Sequence, residues 1–129
     1  MKFFGKVLLG ITLAMGILSS NALAAEPFRI VYLKYGQKEA EGDTMTITGY
    51  LKVEGTNTGR YALVSRAMQA RFPLWDVAYG EMVVTPGTTQ IGYESGVPHS
   101  SYYPEARPYF IDPVTGTGYT TGSTKISNY

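Results

Sequence analysis

The stretch DTMTITGYLKVEG, Asp43 to Gly55, decides the fold. Met45, Ile47, Leu51 and Val53 fall on one side of an extended chain. Thr44, Thr46, Thr48, Tyr50, Lys52 and Glu54 fall on the other. A period of two with one polar face marks an antiparallel strand buried on one side only. Upstream, FRIVYLKYG (Phe28 to Gly36) reads as a second strand, with Phe28, Ile30, Tyr32 and Lys34 on one side, and QKEAEGD is the polar turn between them. Downstream, TNTG (Thr56 to Gly59) is a turn, LWDVAYGEMVVTPG runs as one or two strands broken near Gly80, and TTQIGYES is another strand. The closing TGYTTGSTKISNY is a Gly- and Thr-rich strand suited to a sheet edge. Six or seven short strands with turn signals between them predict a mainly β chain, a small antiparallel β-sandwich of the immunoglobulin or fibronectin type III kind.

One segment resists that pattern. In RYALVSRAMQARF, Tyr61, Val64, Met68 and Phe72 recur at three- and four-residue spacing, and Ala62, Ala67 and Ala70 favour helix. The period alone predicts one short helix near 60–72, ended by Pro73, whereas a sandwich requires a strand there. Trp75, just beyond it, is expected in the core.

The first 24 residues have another purpose. Lys2 and Lys6 precede an uncharged apolar run, Val7 to Leu18, too short to span a bilayer, and Ala22-Leu23-Ala24 supplies a cleavage pattern. Residues 1–24 are therefore expected to be a signal peptide, leaving 25–129 as a single domain that is secreted or periplasmic. Two of the eleven basic residues lie in that leader, so nine face ten acids and the exported chain sits near −1. Such a balance carries no electrostatic footprint for nucleic acid or an anionic membrane, and no membrane insertion is expected. With no cysteine, the core alone carries the fold.

GVPHSSYYPEARPYFIDP, Gly96 to Pro113, holds the one histidine and reads as a proline-stiffened loop leading into a short strand at RPYFI. His99 is followed by Ser100 and Ser101, but adjacent side chains on an extended chain point apart, and no G-x-S-x-G elbow is present. One histidine without cysteine leaves only carboxylates as metal ligands. GTGYTTG (Gly116 to Gly122) puts its third glycine one residue late for a dinucleotide fingerprint, and GSTK reverses the order of a phosphate loop. No cofactor, metal or enzymatic activity is expected. What remains is the tyrosine content: eleven tyrosines exceed what a core of this size needs. His99, Tyr102, Tyr103, Arg107 and Tyr109 are the candidate binding residues, since tyrosine and arginine dominate interface energetics and prolines cut the entropy lost on binding.

The leader, a cysteine-free exported chain near one hundred residues, and the strands FRIVYLKYG and DTMTITGYLKVEG together resemble the small secreted interleukin receptor mimic protein A family of pathogenic enterobacteria. That resemblance implies a fibronectin type III-like domain, a domain-swapped homodimer, a role in virulence and binding to host cell-surface cytokine receptors. A different expectation is a periplasmic or surface structural subunit of the fimbrial type, or an envelope inhibitor. Chaperone–usher pilins are also small and exported, but they commonly carry a disulfide and a penultimate tyrosine, whereas Tyr129 here is terminal.

Overall fold

The structure, a computed structural model, describes residues 27–129; the expected signal peptide lies outside the described residues. Seven strands follow in order: β1 (Phe28–Leu33), β2 (Ala40–Glu41), β3 (Met45–Asn57), β4 (Leu63–Gln69), β5 (Val77–Val84), β6 (Thr89–Pro108) and β7 (Gly122–Asn128). All pair antiparallel in the order β1-β7-β3-β6-β4-β5, with β2 attached to β6. This one sheet folds over into a sandwich-like body, as the alternation in β3 predicts.

β6 makes the fold possible because both layers share it. Its first part pairs with β3 as far as Tyr102, and its last part, from Tyr102 to Pro108, pairs with β4. The strand turns from one layer to the other through two bulges. Gly49 faces Val97 while Ile47 faces Ser100 and Tyr50 faces Ser95, so β6 carries an extra residue on each side of Val97. Gly96 sits at one of them with φ +77°, a backbone conformation that glycine adopts without a side-chain clash.

Between the layers, Ile47, Leu51, Val53 and Ile126 meet Ala67, Val97 and Tyr102, and a second cluster gathers Leu33, Leu63, Val84 and Ala106. The layers approach closely at Gly55, where an added Cβ would lie 2.5 Å from Ser65 Oγ and 2.8 Å from Val84. Polar groups caught inside are satisfied. Asn57 donates from Nδ2 to the carbonyls of Tyr61 (2.8 Å) and Val84 (2.9 Å), and its Oδ1 accepts from Gly59 N–H and Thr120 Oγ1. Thr124 Oγ1 donates to Ser65 Oγ at 2.8 Å, linking β7 to β4 across the sandwich.

Several expectations need correction. The 60–72 segment is not a helix: Leu63–Gln69 is strand β4, with β5 on one edge and β6 on the other. The four-residue step from Val64 to Met68 also satisfies a period of two, and both faces of β4 are covered, with only Arg66 and Gln69 partly exposed. Tyr61 and Phe72, the outer members of the helical pattern, are exposed. The stretch from Gly96 is not a loop but belongs to β6, and only Arg107 and Pro108 of the expected RPYFI strand are extended within it. Ile111 makes an isolated bridge to Gly118. The C-terminal β7 is interior, between β1 and β3; the edges are β1 and β5.

Candidate functional site

Alternation along the end of β6 sorts the candidate residues. Tyr102 points inward and is fully buried; its hydroxyl donates to the Pro98 carbonyl at 2.6 Å, and its ring meets Tyr79 edge-on at 5.9 Å. Tyr103, Arg107 and Tyr109 share the outward row with Glu105. His99 lies apart, against β3, where its exposed Nδ1 is 2.6 Å from Thr48 Oγ1. A hydroxyl on an imidazole is the geometry of an activated nucleophile. Here no carboxylate bonds the ring among the described residues, and the neighbouring serines do not engage it. The structure thus brings together three of the five residues and separates Tyr102 and His99 from them.

The outward row stands beside a cleft of about 300 Å³. Val64, Pro108 and Ile111 give it apolar walls, and Arg66, Glu81, Arg107 and Tyr109 supply the polar groups. Arg66 is committed: its Nε donates to buried Glu105, and its Nη1 reaches Glu81 at 3.2 Å. Burial opposes the charged guanidinium, yet these two carboxylates raise its pKa all the same. Arg107 has no hydrogen bond or ion pair among the described residues, so its guanidinium is available to an anionic group entering the cleft. On the other side of Glu105, the carboxylates of Glu39, Glu41 and Glu105 lie within 4.8 Å of one another. Burial first, then Glu39 and Glu105, raises the Glu41 pKa. With Glu105 bound to Arg66, two exposed carboxylates remain, too few for the six to eight oxygens a calcium ion takes.

The sequence reading missed the tip of the β4–β5 hairpin. Phe72 is 97% exposed, Leu74 62% and Trp75 93%. Trp75 is therefore not a core residue, because no strand or loop among the described residues covers this end of the hairpin. The turn itself is fixed. Asp76 Oδ1 accepts from Arg71 N–H at 3.1 Å, its other oxygen accepts from the Tyr103 hydroxyl, and Leu74 N–H bonds the Arg71 carbonyl. The signal available in the sequence was the four-residue apolar run FPLW enclosed by Arg71 and Asp76, too short for a strand and split by a proline. On the opposite layer Tyr50, Tyr93 and Tyr129 are also exposed, as expected for Tyr50, but they pack edge-on against one another at 5.5 and 4.9 Å.

No protein family, characterised protein or solved structure matches this chain.

Proposed function

We propose that this chain is an exported, non-enzymatic binding module that holds a protein partner on the outward row Tyr103–Arg107–Tyr109 and the adjoining cleft. The carrying observation is Arg107: a guanidinium without a partner among the described residues, beside apolar walls and the exposed ring of Tyr109. Arginine and tyrosine are the residue types on which interface energies concentrate, and a free guanidinium selects a carboxylate with directional bonds. Tyr103 and Arg107 belong to the part of β6 paired with β4, and Tyr109 N–H bonds the Ala62 carbonyl just beyond it, so little ordering entropy is lost on binding. The partner is then a protein segment offering an acidic side chain beside an apolar one. The host cell-surface receptor implied by the resemblance is the first partner to test, and self-association through the open edges β1 and β5 would supply the homodimer.

The test is parallel capture from host-cell membrane extract and bacterial envelope extract. The expected result is a partner retained by the wild-type chain and held roughly ten-fold more weakly by Arg107→Ala/Tyr109→Ala. Tyr93→Ala, on the opposite layer, serves as the control. Equal retention by the double variant overturns the reading. Capture from envelope extract alone favours the envelope subunit or inhibitor.

A further inference from the structure

The apolar tip of the β4–β5 hairpin lies at the far end of β4 from the Arg107 cleft. Met68, opposite Tyr103, is near the tip, and Val64, opposite Arg107, lines the cleft. Between them runs the ion chain Glu105–Arg66–Glu81. The tip is thus separate from the cleft, and touches the outward row through the Tyr103–Asp76 hydrogen bond. We infer that Phe72, Leu74 and Trp75 dock this protein onto the interfacial zone of an electrically neutral, zwitterionic bilayer.

Three observations carry this. First, the three side chains lie within four residues of one turn at 97%, 62% and 93% exposure, so no contact among the described residues explains their apolar character. Tryptophan and phenylalanine are the residues that settle at the headgroup level. Second, area decides between occupants. Side chains of this size offer on the order of 150–250 Å² each, whereas a stable protein interface takes roughly 800 Å² per partner. Three such side chains make a small wedge, enough for weak and reversible partition. Third, charge selects the kind of bilayer. Asp76 at the base of the tip interacts with Glu41, which in turn neighbours Glu39, and Arg71 is the one cation of the turn. An anionic surface would be repelled; a zwitterionic one would not. The amides of Arg71 and Leu74 are bonded within the turn, which lowers the cost of entering the headgroup region. The near-zero net charge that argued against membrane contact bears on attraction to anionic lipid, and the tip acts through apolar area instead.

Trp75 is the sole tryptophan, so its fluorescence reports the tip alone. The exported form of the chain is titrated with phosphatidylcholine vesicles and with vesicles that also contain phosphatidylglycerol. The expected result is a blue shift on phosphatidylcholine with a partition constant on the order of 10⁴ M⁻¹, comparable to a single acyl anchor, and a weaker response on the anionic mixture at low salt. Phe72→Ser/Leu74→Ser should partition roughly ten-fold more weakly with an unchanged circular dichroism spectrum. Quenching of wild-type Trp75 by brominated lipid keeps the test independent of any variant. Arg107→Ala/Tyr109→Ala should respond to vesicles as wild type does, which separates this inference from the protein-binding reading. An unshifted, unquenched Trp75 on phosphatidylcholine overturns the inference. A stronger response on anionic vesicles overturns its charge selection, and a shift produced by a captured protein but not by lipid reassigns the tip to a protein interface.

Discussion

Strand β4, residues 63–69, and the turn at residues 71–76 follow one another in the chain and are both rich in apolar side chains, yet they meet opposite fates. Leu63, Val64, Ala67 and Met68 are buried, whereas Phe72, Leu74 and Trp75 stand in solvent. Hydropathy does not distinguish them; position in the sheet does. β4 has a neighbouring strand along each edge, another layer beneath it and the outward row of β6 beside it. The turn beyond it touches β6 through the Tyr103–Asp76 hydrogen bond, and among the described residues nothing covers Phe72, Leu74 or Trp75. The same contrast holds between adjacent tyrosines, Tyr102 inside and Tyr103 outside, where the alternation of a strand decides. An apolar group that the topology leaves uncovered is the kind that marks an interaction site.

That contrast breaks most visibly at Arg66, the one charged side chain on β4. Arg66→Ala would leave the buried Glu105 carboxylate without its cation and facing Glu41 and Glu39. Unpairing a buried charge costs about 3–5 kcal/mol, which urea denaturation would read as a large fall in midpoint. Arg66→Met/Glu105→Met removes both charges and replaces them with apolar volume, and most of the loss should return. A fall below about 1 kcal/mol for Arg66→Ala would mean that solvent reaches Glu105 and that the outward face of β4 is less enclosed than its burial indicates.

How much of this was legible follows from the same physics. β3 was readable because Thr46, Thr48, Tyr50, Lys52 and Glu54 take the face opposite Met45, Ile47, Leu51 and Val53, and a strand covered on one face writes that alternation into its residues. β4 was not, since enclosure on both faces removes the alternation and leaves a run that a helix would also accept. β6 was hidden by its prolines. Tyr109 N–H bonds the Ala62 carbonyl on the β4 side, and the Pro104 carbonyl accepts from Gly42 N–H on the β2 side. Pro104 and Pro108 therefore turn their missing amides away from β4, where the ladder needs no donor from them. Local sequence does not say which edge of a strand will be paired. At the candidate site, the sequence shows the residue types of Arg107 and Tyr109, but the inward turn of Tyr102 depends on register, and the exposure of Trp75 on the lack of anything above it among the described residues.

A smaller effect is expected at Asp76, which joins the two regions. The Tyr103 hydroxyl first, then the Arg71 amide, hold its carboxyl below the usual aspartate value, whereas burial pushes the Tyr103 hydroxyl upward. Both bonds favour the carboxylate. Their contribution is thus present above the unfolded aspartate value, about 4, and is lost as pH falls through the lower folded value. Glu41, raised by burial and by its acidic neighbours, takes its proton earlier on the way down. Trp75 fluorescence should therefore change below the ordinary carboxylate range in the wild-type chain, and Asp76→Asn should lack that step. Superimposable titrations of the two would show that Asp76 does not set the turn.

The smallest expected change is at the tip itself. In Phe72→Ser/Leu74→Ser and in Trp75→Ser, the side chains removed are exposed in the folded chain as they are in the unfolded one, so little burial is forfeited. Unfolding free energy should stay within about 0.5 kcal/mol of wild type, while Leu63→Ala, a few residues away in β4, should cost about 2–5 kcal/mol through the cavity it leaves. Urea denaturation followed by circular dichroism reads both. A tip variant that loses more than about 1 kcal/mol would place these side chains against the body of the protein in solution, and would withdraw them from any docking role.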